Sequence, residues 1–277
     1  MASIYSHSKI ETFEQCRLKF KYRYIDKIIP EIAKSIEAHL GSMVHETLEW
    51  LYAKVMEKKI PQVNDVISFY SDRWQEEYSP DMPIFNKTLT AKDYFNRGVE
   101  FLVNYYMKHQ PFQDNTIATE KRIEITLDKE GEKKLIGFID RLSDNLKTNE
   151  IEIHDYKTGN SMWSKEKIEN SRQLSIYTLA IKEIYGKDKN VCMVWHFLAH
   201  DMKVCLRKTN EQLDRLREEL LGIIKEIEGT RDFPPSKSML CNWCDYMDIC
   251  PVWNKKYKKE KQQTLFSEKT EKKMEEM

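Results

Sequence analysis

KLIGFIDRLSDNLKTNEIEIHDYK, residues 134–157, is the stretch that decides the fold of this chain. Two apolar runs, 134–140 and 151–157, flank the polar segment 143–149, whose composition is typical of a turn. This pattern predicts a β-hairpin. If the hairpin is symmetric, its midpoint falls between Lys147 and Thr148, and Asp140 and Asp155 face each other across the two strands.

Side-chain alternation along the two strands sharpens this prediction. Asp155 and Lys157 share a face with the isoleucines of the second run, and Asp140 shares one with Ile136 and Phe138. Two carboxylates then continue faces that we expect to be buried, opposite each other, where like charges repel. A divalent cation is the simplest compensator, and Lys157 points the same way, toward a phosphate or a water. From spacing alone, a solvated strand end with ordinary surface charges is the alternative.

Composition and charge bound the class of protein. The 277 residues are 40% hydrophobic and 32% charged, which is typical of a soluble globular protein. The N-terminal residues contain no apolar core of signal-peptide length, and no stretch is long enough to span a membrane, so we expect a cytoplasmic protein.

The formal net charge is zero, so nucleic-acid binding would have to come from a local cluster of basic residues. One such cluster, interleaved with aromatic residues, consists of Arg17, Lys19, Lys21 and Arg23. It predicts contact with nucleic acid. An amphipathic helix with a solvated basic face is the alternative interpretation.

The six cysteines fall into two groups. Cys192 and Cys205 lie in apolar runs typical of strands, and we expect both to be small core residues. The array of Cys241, Cys244 and Cys250 is followed by Pro251, and the remaining cysteine, Cys16, is far away in sequence. In a cytosolic protein this array indicates a metal site before it indicates disulfides.

Hydrophobic periodicity and turn residues predict the order of the elements. The predicted helices cover 9–26, 43–58, 63–77, 91–109, 173–184 and 211–228, and the predicted strands cover 121–127, 134–140, 151–156, 191–198 and 202–208. This order describes an α/β core with a mixed central sheet flanked by helices, and residues 62–110 form a helical insertion before the sheet.

Five motifs, in order, resemble the PD-(D/E)XK nuclease superfamily, in particular its RecB-like branch with an iron–sulfur cluster. That branch includes the CRISPR-associated RecB-like exonucleases and the nuclease domain of AddB. The motifs are Gly41-Ser42-Met43-Val44-His45, Gly137-Phe138-Ile139-Asp140-Arg141, Asp155-Tyr156-Lys157-Thr158-Gly159, Gln173-Leu174-Ser175-Ile176-Tyr177 and the four cysteines. The resemblance implies a restriction-endonuclease-like core and a single nuclease domain over residues 1–253. Residues 254–277 are mostly Lys, Glu and Gln, and this composition predicts a charged, partly disordered tail.

The resemblance also implies a role for each motif residue. Its metal ligands for Mg²⁺ or Mn²⁺ are His45, Asp140, Asp155 and the carbonyl of Tyr156. Such a metal ion lowers the pKa of a bound water and neutralises charge on the scissile phosphate. Its further catalytic residues are Lys157, which positions or deprotonates the water, and Gln173 and Tyr177, which orient the lysine, the water or the DNA strand. Glu120 falls where relatives often carry a glutamate.

For the cysteines, the resemblance implies one [4Fe–4S] cluster. Its four ligands are Cys16, Cys241, Cys244 and Cys250, so the cluster region joins the N-terminal and C-terminal parts of the chain. Four thiolates also suit a structural Zn²⁺ ion, which is the alternative. We expect the cluster to act as a staple that closes a loop spanning nearly the whole chain.

A short motif in the tail, Gln262-Gln263-Thr264-Leu265-Phe266, resembles the peptide that docks bacterial DNA-processing proteins on the replication sliding clamp. The residues that would bind are Gln262, Leu265 and Phe266. A tail that packs back onto the cluster region is the alternative explanation.

The sequence therefore predicts a metal-dependent DNA nuclease. We expect an exonuclease on single-stranded DNA or DNA ends, serving DNA repair and recombination, CRISPR adaptation or phage replication. The alternatives are a non-catalytic DNA-binding or scaffold subunit of a recombination complex and an RNA-processing nuclease. The presence of Asp140, Asp155 and Lys157 argues against an inactivated copy.

Overall fold

A computed structural model of the chain describes residues 3–30 and 34–254. The chain divides into two compact units, and each is treated separately below. Among the described residues, the first unit comprises 3–7 and 34–221, and the second comprises 8–30 and 222–254. The single nuclease domain expected over residues 1–253 stays a prediction, and the tail from residue 255 onward lies outside the described residues.

A six-stranded mixed sheet forms the centre of the first unit. Its strands are β1 (Ser3–Ser6), β2 (Thr116–Thr126), β3 (Lys133–Asn145), β4 (Glu150–Lys157), β5 (Asn190–Phe197) and β6 (Met202–Leu206). The order is β1-β3-β4-β5-β6, and β2 pairs with β3 outside this path. The β1–β3 and β4–β5 pairs are parallel and the others antiparallel, which confirms the predicted mixed sheet. The sequence pattern missed β1.

The predicted hairpin is formed by β3 and β4. Arg141 pairs with His154 and Leu142 with Ile153, the register that the symmetric hairpin predicts. The ladder ends there, one residue before Asp140 and Asp155. The buried face expected for Asp140 is wrong in part, because Phe138 is 50% exposed and the buried side chains of this run belong to Leu135 and Ile139. Asp140 therefore lies near solvent, whereas Asp155 is buried as expected.

Helices of the first unit pack on the sheet and on one another. They are α3 (Ile36–Met56), α4 (Val63–Glu77), α5 (Ala91–His109), α6 (Lys165–Glu169) and α7 (Arg172–Tyr185), and α8 (Asn210–Gly229) begins in this part of the chain. The bounds predicted for α4 and α5 are confirmed, and these helices form a core with α3 that is rich in aromatic side chains. A left-handed Gly186, with φ of 104°, follows α7.

The start predicted for α3 at Met43 is wrong. The helix begins seven residues earlier, where the hydroxyl of Ser35 accepts a hydrogen bond from the Ala38 amide at 3.2 Å. His45 consequently lies within the helix rather than in its first turn. Gly41 lies within the helix as well, and a β-carbon at this position would lie 3.3 Å from Thr158 Oγ1. The glycine therefore permits a close approach between α3 and the loop after β4.

The second unit begins with a helix that is interrupted. The continuous helix predicted for 9–26 is wrong, because α1 (His7–Gln15) ends before Cys16, and α2 (Arg17–Phe20) and a π-helical turn (Lys21–Ile25) follow it. Cys16 is extended, with φ of −160° and ψ of 111°. Cys241 lies in a short 3₁₀ turn at Met239–Trp243, Cys244 directly follows this turn, and Cys250 directly follows a second turn at Met247–Ile249.

The two remaining cysteines differ in exposure. Cys192 is buried, as predicted, whereas Cys205 is exposed, so the prediction of a core residue is wrong for Cys205. They lie on the adjacent strands β5 and β6 and are joined as a disulfide, with Cα atoms 6.1 Å apart. In the ranges 3–30 and 34–254, no helix is both long and apolar enough to cross a membrane.

Candidate active site

The centre of the site lies where β3 and β4 diverge. Asp140 Oδ2 accepts a hydrogen bond from the Tyr156 amide at 3.0 Å, so the carboxylate takes the place of a ladder partner. His45 reaches the same point from α3. Its Nε2 lies 2.8 Å from the Tyr156 carbonyl oxygen, and its Nδ1 lies 3.3 Å from Asp140 Oδ2. The structure thus brings together three of the groups predicted as metal ligands.

Asp155, the fourth group, is buried at the end of β4. Lys157 Nζ donates a hydrogen bond to Asp155 Oδ1 at 3.0 Å and lies 2.7 Å from Oδ2. Oδ2 is shielded from solvent and accepts no well-formed hydrogen bond from any described residue. Burial raises the pKa of Asp155 to about 6, an effect that Lys157 opposes and the Asp140 charge reinforces.

Gln173 and Tyr177 approach the carboxylates from α7. They lie one helical turn apart, and Gln173 Nε2 donates a hydrogen bond to the Tyr177 hydroxyl at 3.2 Å. Burial raises the pKa of Tyr177, the hydrogen bond from Gln173 lowers it, and the charges of Asp140 and Asp155 raise it further. Both residues are therefore part of the same electrostatic environment as the two aspartates.

Gly137 on β3 makes room for Tyr177. A β-carbon at position 137 would lie 2.5 Å from Tyr177 Cε1, closer than side chains tolerate. Packing therefore explains why the Gly-Phe-Ile-Asp motif begins with glycine, because any side chain at position 137 would push the tyrosine ring away from β3.

Two glutamates border the site. Burial raises the pKa of Glu120, and Asp140 and Glu49 raise it further, while His45 lowers it. Glu120 is thus within electrostatic reach of the predicted ligands, and its left-handed φ of 42° marks an irregular point in β2. Glu49 was missed by the sequence analysis, although its position four residues after His45 on one helix was the available signal.

A buried polar network supports the strand that carries Asp155. Arg141, only 1% exposed, donates from Nε to the Tyr156 hydroxyl at 3.0 Å and from Nη2 to His154 Nδ1 at 2.9 Å. Its guanidinium also pairs with Asp114 and lies 4.0 Å from the centre of the Tyr52 ring. Asp140 and Arg141 therefore hold Tyr156 through its amide and its hydroxyl. The sequence analysis missed this role of Arg141.

In the second unit, the four cysteines of the predicted cluster line one solvent-open pocket, together with Lys19 and Trp253. All four are free thiols. The Ser236 amide lies 3.5 Å from Cys16 Sγ, and the Ser238 amide lies 3.4 Å from Cys241 Sγ. Hydrogen bonding from Ser238 lowers the pKa of Cys241, whereas burial raises that of Cys244.

The basic residues predicted to contact nucleic acid also lie in the second unit, and local partners engage them. Arg17 pairs with Glu226, Lys19 lies 3.9 Å from Asp245, and Lys21 lies 2.5 Å from Asp26. The guanidinium of Arg23 lies 5.7 Å from the centre of the Tyr24 ring. The first three charges are therefore partly offset by neighbouring carboxylates, and their role in binding stays a prediction.

The predicted residues thus form two groups, one in each unit. Across the described ranges, no set of three or more His, Cys, Asp or Glu side chains has the arrangement of a preformed metal site. Gln262, Leu265 and Phe266, predicted to bind a partner, lie outside the described residues.

Comparison with known proteins identifies the family. Residues 4–251 match the profile of the PD-(D/E)XK nuclease superfamily. The chain belongs to the PD-(D/E)XK nuclease superfamily. The α/β fold with its mixed sheet agrees with the restriction-endonuclease-like core of that superfamily. Membership indicates a metal-dependent nuclease, and PD-(D/E)XK nucleases typically use divalent metal ions such as Mg²⁺.

Other comparisons add little to this assignment. No curated protein matches the chain. Among solved structures, the crystal structure of SSO0001 is 14% identical and aligns over 78% of this chain and 95% of that one, with a TM-score of 0.35. A likeness at this level has no bearing on function.

Proposed function

We propose that this PD-(D/E)XK protein is a Mg²⁺- or Mn²⁺-dependent deoxyribonuclease, acting as an exonuclease on single-stranded DNA or DNA ends. One observation carries the proposal. His45, Asp140 and the Tyr156 carbonyl meet where β3 and β4 diverge, and Asp155 and Lys157 form an ion pair at the end of β4.

The donor set at this point fits a divalent cation. Two carboxylates, Asp140 and the buried Asp155, lie at this point, and Lys157, 2.7 Å from Asp155 Oδ2, offsets the charge of only one of them. His45 presents Nδ1 to the Asp140 carboxylate, an arrangement that needs a proton or a cation. His45, Asp140, Asp155 and the Tyr156 carbonyl would hold the metal. When bound, Mg²⁺ or Mn²⁺ supplies an activated water and neutralises phosphate charge.

The other residues would act on the phosphate and the water. Lys157 offers an ammonium group that donates to a phosphate oxygen or holds the attacking water, and Asp155 keeps that group at the site. Gln173 orients the Tyr177 hydroxyl beside the two carboxylates. Hydrolysis adds water across one P–O bond, so one product retains the phosphate and the other gains a hydroxyl.

Cleavage of end-labelled DNA tests this proposal. Single- and double-stranded substrates, with matched RNA strands, would be incubated in Mg²⁺ or Mn²⁺ with wild type, Asp140→Ala and the control Asp188→Asn, which changes an exposed aspartate before β5. We expect metal-dependent cleavage of DNA that Asp140→Ala abolishes and Asp188→Asn retains. Binding without cleavage would instead support the scaffold alternative, and preferential cleavage of RNA would support an RNA-processing nuclease.

For the second unit, we propose that Cys16, Cys241, Cys244 and Cys250 ligate a [4Fe–4S] cluster, with Zn²⁺ as the alternative. The four free thiols lining one pocket support this proposal. Iron, sulfide and zinc analysis of anaerobically purified protein distinguishes the two, and Cys205→Ser, which replaces a disulfide-bonded cysteine outside the array, is the control. Absence of both metals from such protein would contradict a cysteine-ligated site.

The tail motif and the pathway are further proposals. We propose that Gln262, Leu265 and Phe266 dock the nuclease on a sliding clamp, and that it acts with CRISPR adaptation or recombination proteins. A clamp pulldown that is insensitive to Leu265→Ala combined with Phe266→Ala would rule out the docking.

A further inference from the structure

An aromatic wall stands beside the lysine of the site. In the parallel ladder of β4 and β5, Asp155 pairs with Trp195 and Lys157 with Phe197, so each pair shares one face of the sheet. Trp195 and Phe197 are buried, at 0% and 1% exposure. Trp163, from the loop after β4, packs on both, with ring centroids 6.5 Å from Trp195 and 5.9 Å from Phe197. We call Trp163, Trp195 and Phe197 the aromatic wall.

Lys157 lies between this wall and Asp155. Its Nζ is 2.7 Å from Asp155 Oδ2 and 5.2 Å from the centre of the Trp163 ring. An ammonium group within about 6 Å of an indole face is attracted by the electron-rich ring. Lys167 Nζ also lies near this ring, 4.3 Å from its centre, but Lys167 is exposed and has no part in the proposed site.

A contact with an aromatic ring can keep a lysine in place when its ammonium group binds a phosphate. The four-carbon stem of lysine is flexible, so an ammonium that exchanges a carboxylate for a phosphate oxygen is free to swing into solvent. Trp163 is half-buried and packs on two buried aromatic side chains of β5. Its ring limits the movement of the Lys157 ammonium toward solvent. In the structure, Lys157 therefore contacts both the Asp155 carboxylate and the Trp163 indole.

We propose that Trp163 is a positioning residue that holds the Lys157 ammonium at the reacting phosphate. This inference rests on the proposed nuclease function and deepens it. Trp163 acts through Lys157, so its loss should affect the chemical step more than substrate binding.

Kinetics of three variants test the role. We expect Trp163→Leu to lower kcat by about two- to thirtyfold with little change in KM, because a cation–π contact is lost. Trp163→Phe keeps an aromatic face and should retain most of the activity. Lys167→Met, which removes the other cation on the same ring, is the matched control and should leave kcat unchanged. A Trp163→Leu enzyme with wild-type kcat would overturn the proposal, as would an equal loss in the phenylalanine variant.

A spectroscopic measurement separates this proposal from the proposed function. In protein labelled with [ε-¹³C]lysine, the Lys157 ε-protons should be shifted upfield by the Trp163 ring current, relative to those of Lys165, whose side chain is 89% exposed. The signals are assigned with Lys157→Arg and Lys167→Arg. The shift should collapse in Trp163→Leu. If wild type cleaves no DNA, the proposed nuclease function fails, but the contact between Lys157 and Trp163 can still be judged from the spectra. An upfield shift in wild type that is lost in Trp163→Leu supports the contact. A shift that is absent from wild type, or that persists in Trp163→Leu, overturns it.

Discussion

Replacing Asp155 by asparagine should make the metal-free protein more stable while abolishing its proposed activity. Burial raises the pKa of this carboxyl from 3.8 to about 6, so the folded state disfavours the ionised form. A raised pKa means that the stabilising contribution of this carboxyl is complete below pH 3.8 and is lost as the pH rises through about 6. Because the pKa of Asp155 is raised by about 2, the ionised carboxylate destabilises the folded state by roughly 3 kcal/mol at pH values above about 6.

Asparagine has nearly the same shape and carries no charge, so it avoids this cost. We therefore expect Asp155→Asn to raise the free energy of unfolding by up to about 3 kcal/mol at pH 7.5. The gain is an upper bound, because Lys157 loses its partner, although its side chain is 24% exposed and retains access to water. Stability would have been sacrificed for function at this position.

Urea denaturation in EDTA, at pH values between 5 and 8, measures the effect. The difference between Asp155→Asn and wild type should grow from pH 5 to about pH 7 and then remain constant. Asp188→Asn, on an exposed loop, should differ from wild type by less than about 0.5 kcal/mol at every pH. An Asp155→Asn protein that is less stable than wild type at pH 7.5 would refute the reasoning that this carboxylate is held in an unfavourable place.

Three other perturbations test the surroundings of the site. Gly137→Ala places a β-carbon 2.5 Å from Tyr177 Cε1, so we expect a loss of about 1–3 kcal/mol in urea denaturation and reduced cleavage. Gly159→Ala, whose β-carbon meets nothing within 4 Å, should be neutral, and equal behaviour of the two variants would contradict the packing argument. Arg141→Met leaves Asp114 and the Tyr156 hydroxyl without their buried partner and should cost about 3–5 kcal/mol, against less than about 1 kcal/mol for the exposed Arg122→Met. Burial lowers the pKa of His109 to about 4 and lowers those of His154 and His196 as well, so these side chains stabilise the fold above pH 6.5 and lose that contribution as the pH falls below it. Wild type should lose free energy of unfolding between pH 7.5 and pH 5, and His109→Phe should lose about 2 kcal/mol less. An equal loss in both proteins would show that His109 is not held neutral.

The hairpin at the centre of the site could be predicted because its information is local. Two apolar runs around a polar turn fix the register of Arg141 with His154, and thereby bring Asp140 and Asp155 to the same end of the hairpin. The bounds of α4 and α5 follow likewise from their periodicity, and in the structure Thr90 and Asp93 form a capping box at the start of α5.

The wrong predictions concern segments whose conformation depends on contacts with residues far away in sequence. The predicted start at Met43 left Gly41 outside the helix, but Gly41 lies inside α3, where the helix passes close to Thr158. Cys16 interrupts a segment whose own residues favour a continuous helix, and its thiol is approached by Ser236, more than 200 positions away. Trp163 had no motif or periodicity to mark it, because its role depends on β5 lying beside β4. Such contacts follow from tertiary packing and are not written in any short window of sequence.

Mn²⁺-dependent cleavage of end-labelled single-stranded DNA by wild type, Asp155→Asn and Asp188→Asn shows whether the buried carboxylate takes part in catalysis. We expect cleavage by wild type and by Asp188→Asn, and none by Asp155→Asn even though that variant is folded and at least as stable in urea. Cleavage by Asp155→Asn at the wild-type rate would contradict the claim that this buried carboxylate belongs to the active site.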